Sequence, residues 1–282
     1  MKRGLLLEGG AMRGLFTAGV LDAFLEEGLF FDVCVAVSAG AAFGCNLKSH
    51  QKGRVLRYNT AYCRDRRYCS IKNLLSTGDL YGADFCYRRL PDELDPFDYE
   101  TYRKDPMDFY AVCTDADTAE PVYTLCNALT KEEFLYLQAS ASMPLVSRPV
   151  EIGEKRLLDG GISDSIPLSF LSSLTEERRV LVLTRPRGYR KKPIGNKWFF
   201  KHALRKTPRL AEALLSRHEH YNRTLDEIEK LEEKGKIFVL RPPKPIEVKM
   251  IERSPTRLSA AHELGFRTAN EQMNALKAYL RE

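Results

Sequence analysis

Apolar positions along this chain follow first a short continuous run, then a helical period, then a β-branched run, and each switch marks an element. Leu5-Leu6-Leu7 stops at Glu8 and a glycine-rich stretch, which predicts a buried strand and a turn. Phe16, Val20 and Phe24, with Leu21 and Leu25, recur at helical spacing up to Gly28, a residue suited to closing a helix. Val33, Val35 and Val37 then form a run that packs well on a pleated sheet, and the small residues Ala39 to Cys45 open a second helix. Strand, glycine turn, helix, strand and helix make a βαβ unit, which implies parallel strands and a right-handed crossover.

Further along, residues 52–62 suit a helix. Residues 64–84 are mixed, basic and irregular, and 91–106 are proline-bounded and loop-like. Strand character returns at 108–114 and at 121–125, around an Asp115-Ala116-Asp117 turn. Thr130 and Glu133 form a capping box that starts a helix to about Ser140. Two short strands, 150–152 and 156–158, flank a turn, and Asp159-Gly160-Gly161 closes the second. Residues 178–184 predict another central strand. Two long amphipathic helices follow, one presenting Leu214, Tyr221, Leu225 and Ile228, the other Leu258, Gly265, Ala269, Met273, Leu276 and Leu280. A strand at 237–240 lies between them, stopped by Pro242 and Pro243. With no repeat and no long linker, the expectation is a single α/β domain over residues 1–282.

Hydrophobic residues make up 44% of the 282, enough for a sizeable core. No apolar run is long enough to cross a membrane, and the N-terminal run is too short for a signal peptide. The seven cysteines show no metal-ligand spacing, so a reducing, cytoplasmic setting without a metal is expected. The net charge of +6 is modest, but it is uneven: residues 185–209 hold ten Lys or Arg and no Asp or Glu. There Arg185, Arg187, Arg190, Lys191 and Lys192 precede Trp198-Phe199-Phe200 and Lys201. Cations beside aromatics suit peripheral contact with an anionic membrane surface. The other reading is a solvated loop anchored in the core by Trp198. No recognition motif supports nucleic-acid binding.

The candidate chemistry centres on Ser38. It stands where the second strand meets the second helix, in Ala36-Val37-Ser38-Ala39-Gly40. A serine at such a corner sits on a sharp turn with its hydroxyl exposed, the geometry of a nucleophile elbow. Small residues at Ala36 and Gly40 let strand and helix approach closely. A serine hydroxyl needs a base and its intermediate needs oxyanion donors. The amides of Gly9, Gly10 and Ala11 form a natural anion site at a helix entry, with Arg13 nearby. A dinucleotide reading of that turn is disfavoured, because the second strand ends in Ser38 rather than in an acid. None of the histidines (His50, His202, His218, His220 and His262) lies at an obvious strand end. Asp159, before two glycines, is the better base candidate.

The order glycine turn, elbow serine, Asp-Gly-Gly resembles the patatin-like phospholipase family over roughly residues 4–184. Ala139-Ser140-Ala141-Ser142-Met143-Pro144 is similar to that family's small-residue segment ending in proline. The resemblance implies an α/β fold, a three-layer α/β/α sandwich with a mainly parallel central sheet. It implies a lipid ester as substrate, cleaved by a serine acyl hydrolase of phospholipase A or lysophospholipase type without a cofactor. Ser38 would be the nucleophile, Asp159 the proton acceptor, and Gly9, Gly10, Ala11 and Arg13 the oxyanion hole. Gly160 and Gly161 complete the aspartate motif. Ala36 and Ala11 stand where the family carries glycines. The Ala11 substitution is tolerable provided its φ suits a residue with a Cβ. The alternatives are a catalytically weak or inactive lipid- or partner-binding protein of the same fold, and a Ser-His-Asp hydrolase using one of the histidines that follow Asp159.

Overall fold

Eight strands, β1 (Arg3–Leu7), β2 (Val33–Val37), β3 (Asp108–Asp115), β4 (Pro121–Leu125), β5 (Val150–Ile152), β6 (Lys155–Asp159), β7 (Arg178–Val182) and β8 (Phe238–Leu240), form one sheet. The structure, a computed structural model, describes residues 1–281. Ten α-helices are found among them: α1 (Gly14–Glu26), α2 (Ala39–Lys48), α3 (Arg54–Tyr62), α4 (Ile71–Thr77), α5 (Tyr99–Lys104), α6 (Lys131–Ser140), α7 (Leu168–Leu174), α8 (Lys197–Ala203), α9 (Pro208–Glu233) and α10 (Pro255–Arg281).

The strand order is β5-β6-β3-β2-β1-β7-β8, with β4 also paired to β3. Strands β3, β2, β1, β7 and β8 run parallel, while β4, β5 and β6 add antiparallel pairs around β3. Alternate strand residues feed two cores. Leu5, Leu7, Cys34 and Ala36 pack with residues of α1, α2 and α10, and Leu6, Val33, Val35 and Val37 with residues of α7 and α9. The expected three-layer α/β/α arrangement with a mainly parallel sheet is what forms. The C-terminal third continues it, since β8 lies parallel to β7 and α10 packs along α1. That crossing is close: a Cβ on Gly19 would meet the His262 carbonyl oxygen at 1.9 Å, and one on Gly265 the Phe16 carbonyl oxygen at 1.9 Å.

The register around β3 positions the site. Val37, the last residue of β2, pairs with Val112, and Asp159, the last of β6, pairs with Cys113. Strand β4 pairs with β3 across Tyr110–Thr114, overlapping both partners, so β2 and β6 share the opposite edge of β3 end to end. The residue that follows β2 therefore emerges beside the end of β6.

Three sequence readings need correction. Residues 91–106 are not a loop: a π-helical stretch covers Phe85–Leu94 and α5 covers Tyr99–Lys104. Pro91 and Pro96 signal breaks, yet Pro91 sits inside the π-helical stretch, and the Asp98 side chain caps α5 by accepting from Thr101 N–H. The irregular segment 64–84 contains α4, capped by Ser70, with no buried residue of its own to reveal a period. Helices α7 and α8 also lie in stretches where no element was expected. Trp198 on α8 is not a core anchor, for it is 73% exposed.

Candidate active site

Ser38 follows β2 and caps α2 with φ 57° and ψ −124°. This is a strained backbone for a non-glycine residue, worth roughly 1–3 kcal/mol. Surrounding contacts hold it there. Ser38 N–H donates to Ser140 Oγ at 2.8 Å, and Ser140 Oγ–H donates to the Val112 carbonyl at 2.6 Å. The Ser38 carbonyl accepts from the N–H groups of Ala41 and Ala42. Gly40 is required because a Cβ there would stand 2.5 Å from the Leu7 carbonyl oxygen. Ala36 is fully buried in the sheet, paired with Leu7 and Ala111, and its methyl packs in the core.

Asp159 lies 2.7 Å from Ser38: the serine Oγ–H donates to Asp159 Oδ2. The other carboxylate oxygen accepts Gly161 N–H at 2.8 Å. The Asp159 backbone is tied on both sides, its N–H to the Ser142 carbonyl and its carbonyl to the Thr114 hydroxyl. Gly160 runs against β3, where a Cβ would meet the Val112 carbonyl oxygen at 2.1 Å. Asp159 is 2% exposed. Burial raises its carboxyl above the ordinary value, opposed by the Ser38 hydrogen bond, Arg217, Gly161 N–H and Lys191.

The glycine turn faces the serine. A Cβ on Gly9 would stand 2.7 Å from Ser38 Cβ, so only glycine allows this approach. The N–H groups of Gly9, Gly10 and Ala11 have no acceptor among the described residues. Ala11 enters the turn at φ 48°, in the left-handed region, so the condition set for alanine at this position is not met and the Cβ is accommodated under strain. Arg13 packs against the turn, where a Cβ on Gly10 would meet its Nη2 at 3.2 Å. Burial lowers the Arg13 pKa, and Arg185 lowers it further.

Sequence reasoning missed the bracing of this turn. Glu8 is buried and fully engaged: it accepts from Thr184 N–H at 2.6 Å and Thr184 Oγ at 3.1 Å, and from Tyr221 OH at 2.6 Å. One carboxylate thus joins the ends of β1 and β7 to α9. Its only sequence signal is an acid at the end of an apolar strand.

The serine, the aspartate and the glycine turn border one cavity of about 380 Å³. Its wall includes the apolar side chains of Phe43, Leu80, Tyr87, Phe134, Leu137 and Met143. The charged groups Glu8, Arg13, Asp159, Arg185, Lys191 and Arg217 also line it. A family model described as patatin-like phospholipase matches residues 5–172. The chain belongs to that family. A second model, described as "Domain of unknown function (DUF6363)", matches residues 207–281. The chain is also similar to the "Uncharacterized protein YjjU" of Escherichia coli (strain K12), 29% identical over 256 residues, 86% of this chain and 69% of that protein. Among solved structures it is similar to VipD from Legionella pneumophila, with a TM-score of 0.48, 14% identity, and coverage of 99% of this chain and 67% of that one.

Within this patatin-like chain, Ser38, Asp159 and the glycine turn all lie inside the patatin match. Thr184, Arg185 and Lys191 lie between the two matches, and Arg217 and Tyr221 lie in the second. Among the described residues no histidine lines the cavity. His50 contacts Asp105 and His262 contacts Asp22, each at 2.7 Å, His202 stacks on Trp198, His220 stands 3.8 Å from Asp164, and His218 contacts the Leu215 carbonyl.

Proposed function

We propose that this patatin-like protein is a serine acyl hydrolase cleaving carboxylic esters of lipids, of phospholipase A or lysophospholipase type, through a Ser38–Asp159 dyad. The observation that carries this reading is the 2.7 Å hydrogen bond from Ser38 Oγ to a buried carboxylate at the edge of an apolar cavity. Asp159 takes the Ser38 proton as Oγ attacks the ester carbonyl carbon. The oxyanion is held by the amides of Gly10 and Ala11. As the tetrahedral intermediate collapses, the leaving alkoxide takes the proton from Asp159 and an acyl-serine remains. Asp159 then deprotonates water, which attacks the acyl-serine. Collapse of the second intermediate returns the proton to Ser38 Oγ and releases the fatty acid. Burial raises the Asp159 pKa, which makes the carboxylate a stronger base than an ordinary one. The fatty acid and the apolar wall match in chemistry.

Incubating the protein with vesicles of mixed phospholipids should release free fatty acid together with the lysolipid or glycerol backbone product. No fatty acid from any lipid ester would overturn the reading.

We further propose that the protein works at the cytoplasmic membrane surface, contacting anionic lipid through residues 185–209. Two of the cations in that segment are neutralised: Arg187 pairs with Glu233, and Arg190 with Asp226 and Glu229 of α9. Exposed Lys192, Lys197 and Lys201 remain around Trp198 and Phe199, which are 73% and 48% exposed. Replacing Trp198 and Phe199 with alanine should weaken sedimentation with phosphatidylglycerol vesicles by about a hundredfold or more, consistent with roughly 1.5–3 kcal/mol for burying each large apolar side chain. Unchanged sedimentation would place the contact elsewhere.

A further inference from the structure

Four cations lie close together on the cavity wall: Arg13, Arg185, Lys191 and Arg217. Among the described residues none of them has a carboxylate at ion-pair distance, whereas Arg54, also on the cavity wall, is paired with Asp95 at 3.4 Å. Both carboxylates present are already committed. Glu8 accepts from Thr184 and Tyr221, and Asp159 from Ser38 and Gly161. Arg13 Nε is buried without an acceptor. Burial, then Arg217, Arg13 and Arg185, bring the Lys191 ammonium down to about 7, against the pull of Glu8. The site as it stands holds four cations against two carboxylates.

The cations also surround the reacting groups. A Cβ on Gly161 would be 2.7 Å from Arg217 Nη2 and 3.0 Å from Asp159 Oδ1, so the guanidinium stands close to the dyad. Arg217 Nε donates to Ser165 Oγ at 3.0 Å, which orients its fork. In a glycerophospholipid the phosphate is only a few bonds from the ester carbonyl, so an ester at Ser38 carries its phosphate into this cluster. Guanidinium forks match phosphate oxygens in geometry and charge.

The same place is unsuited to a headgroup ammonium. A quaternary or primary ammonium seeks a carboxylate or an aromatic face. The carboxylates are engaged, and the two aromatic faces next to these cations are taken by them, Lys191 over Tyr221 and Arg185 over Tyr189, each 4.4 Å from the ring centre.

We infer that Arg13, Arg185, Lys191 and Arg217 form a cradle for the phosphate of an anionic phospholipid substrate, so that the enzyme selects lipid esters whose phosphate carries no compensating ammonium. This rests on the acyl-hydrolase reading above and names the substrate class of that site. It also gives the C-terminal region a task, because three of the four cations lie outside the patatin match and Arg217 belongs to the region matched as a domain of unknown function.

The test compares lysophosphatidic acid with lysophosphatidylcholine of the same acyl chain, in the native protein and in Arg217→Gln, Lys191→Gln and the conservative Arg217→Lys. The native protein should favour lysophosphatidic acid by about tenfold or more in kcat/KM, because the choline ammonium of the other lipid is repelled by cations that have no carboxylate partner. Both Gln variants should lower that preference, chiefly through KM for the anionic lipid, and Arg217→Lys should restore part of it. Equal kcat/KM for the two lipids, or a preference untouched by both Gln variants, would overturn the inference. Calorimetric titration with glycerol 3-phosphate and with inorganic phosphate supplies a readout free of turnover. Glycerol 3-phosphate should bind and lose affinity in Arg217→Gln; no binding overturns the cradle. Inorganic phosphate binding as tightly, without any preference between the two lipids, would assign the cluster to free phosphate instead. Failure to hydrolyse any ester, with glycerol 3-phosphate still bound, would remove the hydrolase reading and leave the phosphate cradle standing.

Discussion

Replacing Ser38 with alanine is expected to lower kcat/KM for lipid esters by roughly 10⁴-fold or more, since no other group supplies the bond to the acyl carbon. The fold should survive. The φ of 57° is imposed by contacts that alanine keeps: the N–H bond to Ser140, the two bonds from Ala41 and Ala42, and the approach of Gly9. What alanine removes is one hydroxyl from Asp159 Oδ2. A fluorophosphonate probe should label the native protein at Ser38 and leave the alanine variant unlabelled. Glycine at the same position should also be inactive and should tolerate heat better than alanine, because it relieves the positive φ, worth on the order of 1 kcal/mol. Turnover within a few-fold of native in Ser38→Ala would end the nucleophile assignment. A native protein that binds lipid but never takes the probe would favour the non-catalytic, lipid-binding alternative.

How far the chain could be read without coordinates depended on the range of the forces involved. The βαβ start, the elbow and the Asp-Gly-Gly turn are local devices. β-Branched runs, small residues and glycines leave a record within a few positions of where they act, and β1, β2, β3 and β7 lie where that record put them. The meeting of Ser38 with Asp159 is different in kind. It depends on β2 and β6 sharing one edge of β3, a pairing between segments about 120 positions apart that no window contains. The bracing was hidden for the same reason. Tyr221 counted as an apolar position on α9 while its hydroxyl serves Glu8. Arg217, one helical turn earlier, carries no local signal of a role, since Ser165 and Lys191, which it meets at the cavity, are 52 and 26 positions away and Arg13 lies near the start of the chain. The basic segment shows the error charge counting invites. Residues 185–209 contain no acid, yet Arg187 and Arg190 are neutralised by carboxylates of α9, and Arg185 and Lys191 turn toward the cavity. Pro91 and Pro96 misled in the opposite direction, because a helix cap at Asp98 and a π-helical turn tolerate breakers that a periodicity argument treats as stops.

Asp159→Asn should abolish hydrolysis, by about 10³-fold or more, and at the same time make the protein more stable at neutral pH. The first effect follows from removing the proton acceptor. The second follows from the direction of its pKa. The folded value lies above the unfolded one, about 3.9 for aspartate, because burial penalises the charged form more than Ser38, Arg217, Gly161 N–H and Lys191 reward it. The folded state therefore holds this proton more tightly than the unfolded state. The stability it contributes is fully present below the unfolded pKa and is lost as pH rises through the folded pKa. Asparagine carries no such penalty, so the stability difference between variant and native should be smallest near pH 4, grow with pH, and level off once Asp159 is ionised in the folded protein. Asparagine can still accept Gly161 N–H and meet the Ser38 hydroxyl, which separates the loss of charge from the loss of shape. Urea denaturation of both proteins between pH 4 and 8 measures the difference directly. A variant less stable than native at pH 8 would mean that the surrounding cations outweigh burial, and the carboxylate would then be too weak a base for the role given to it.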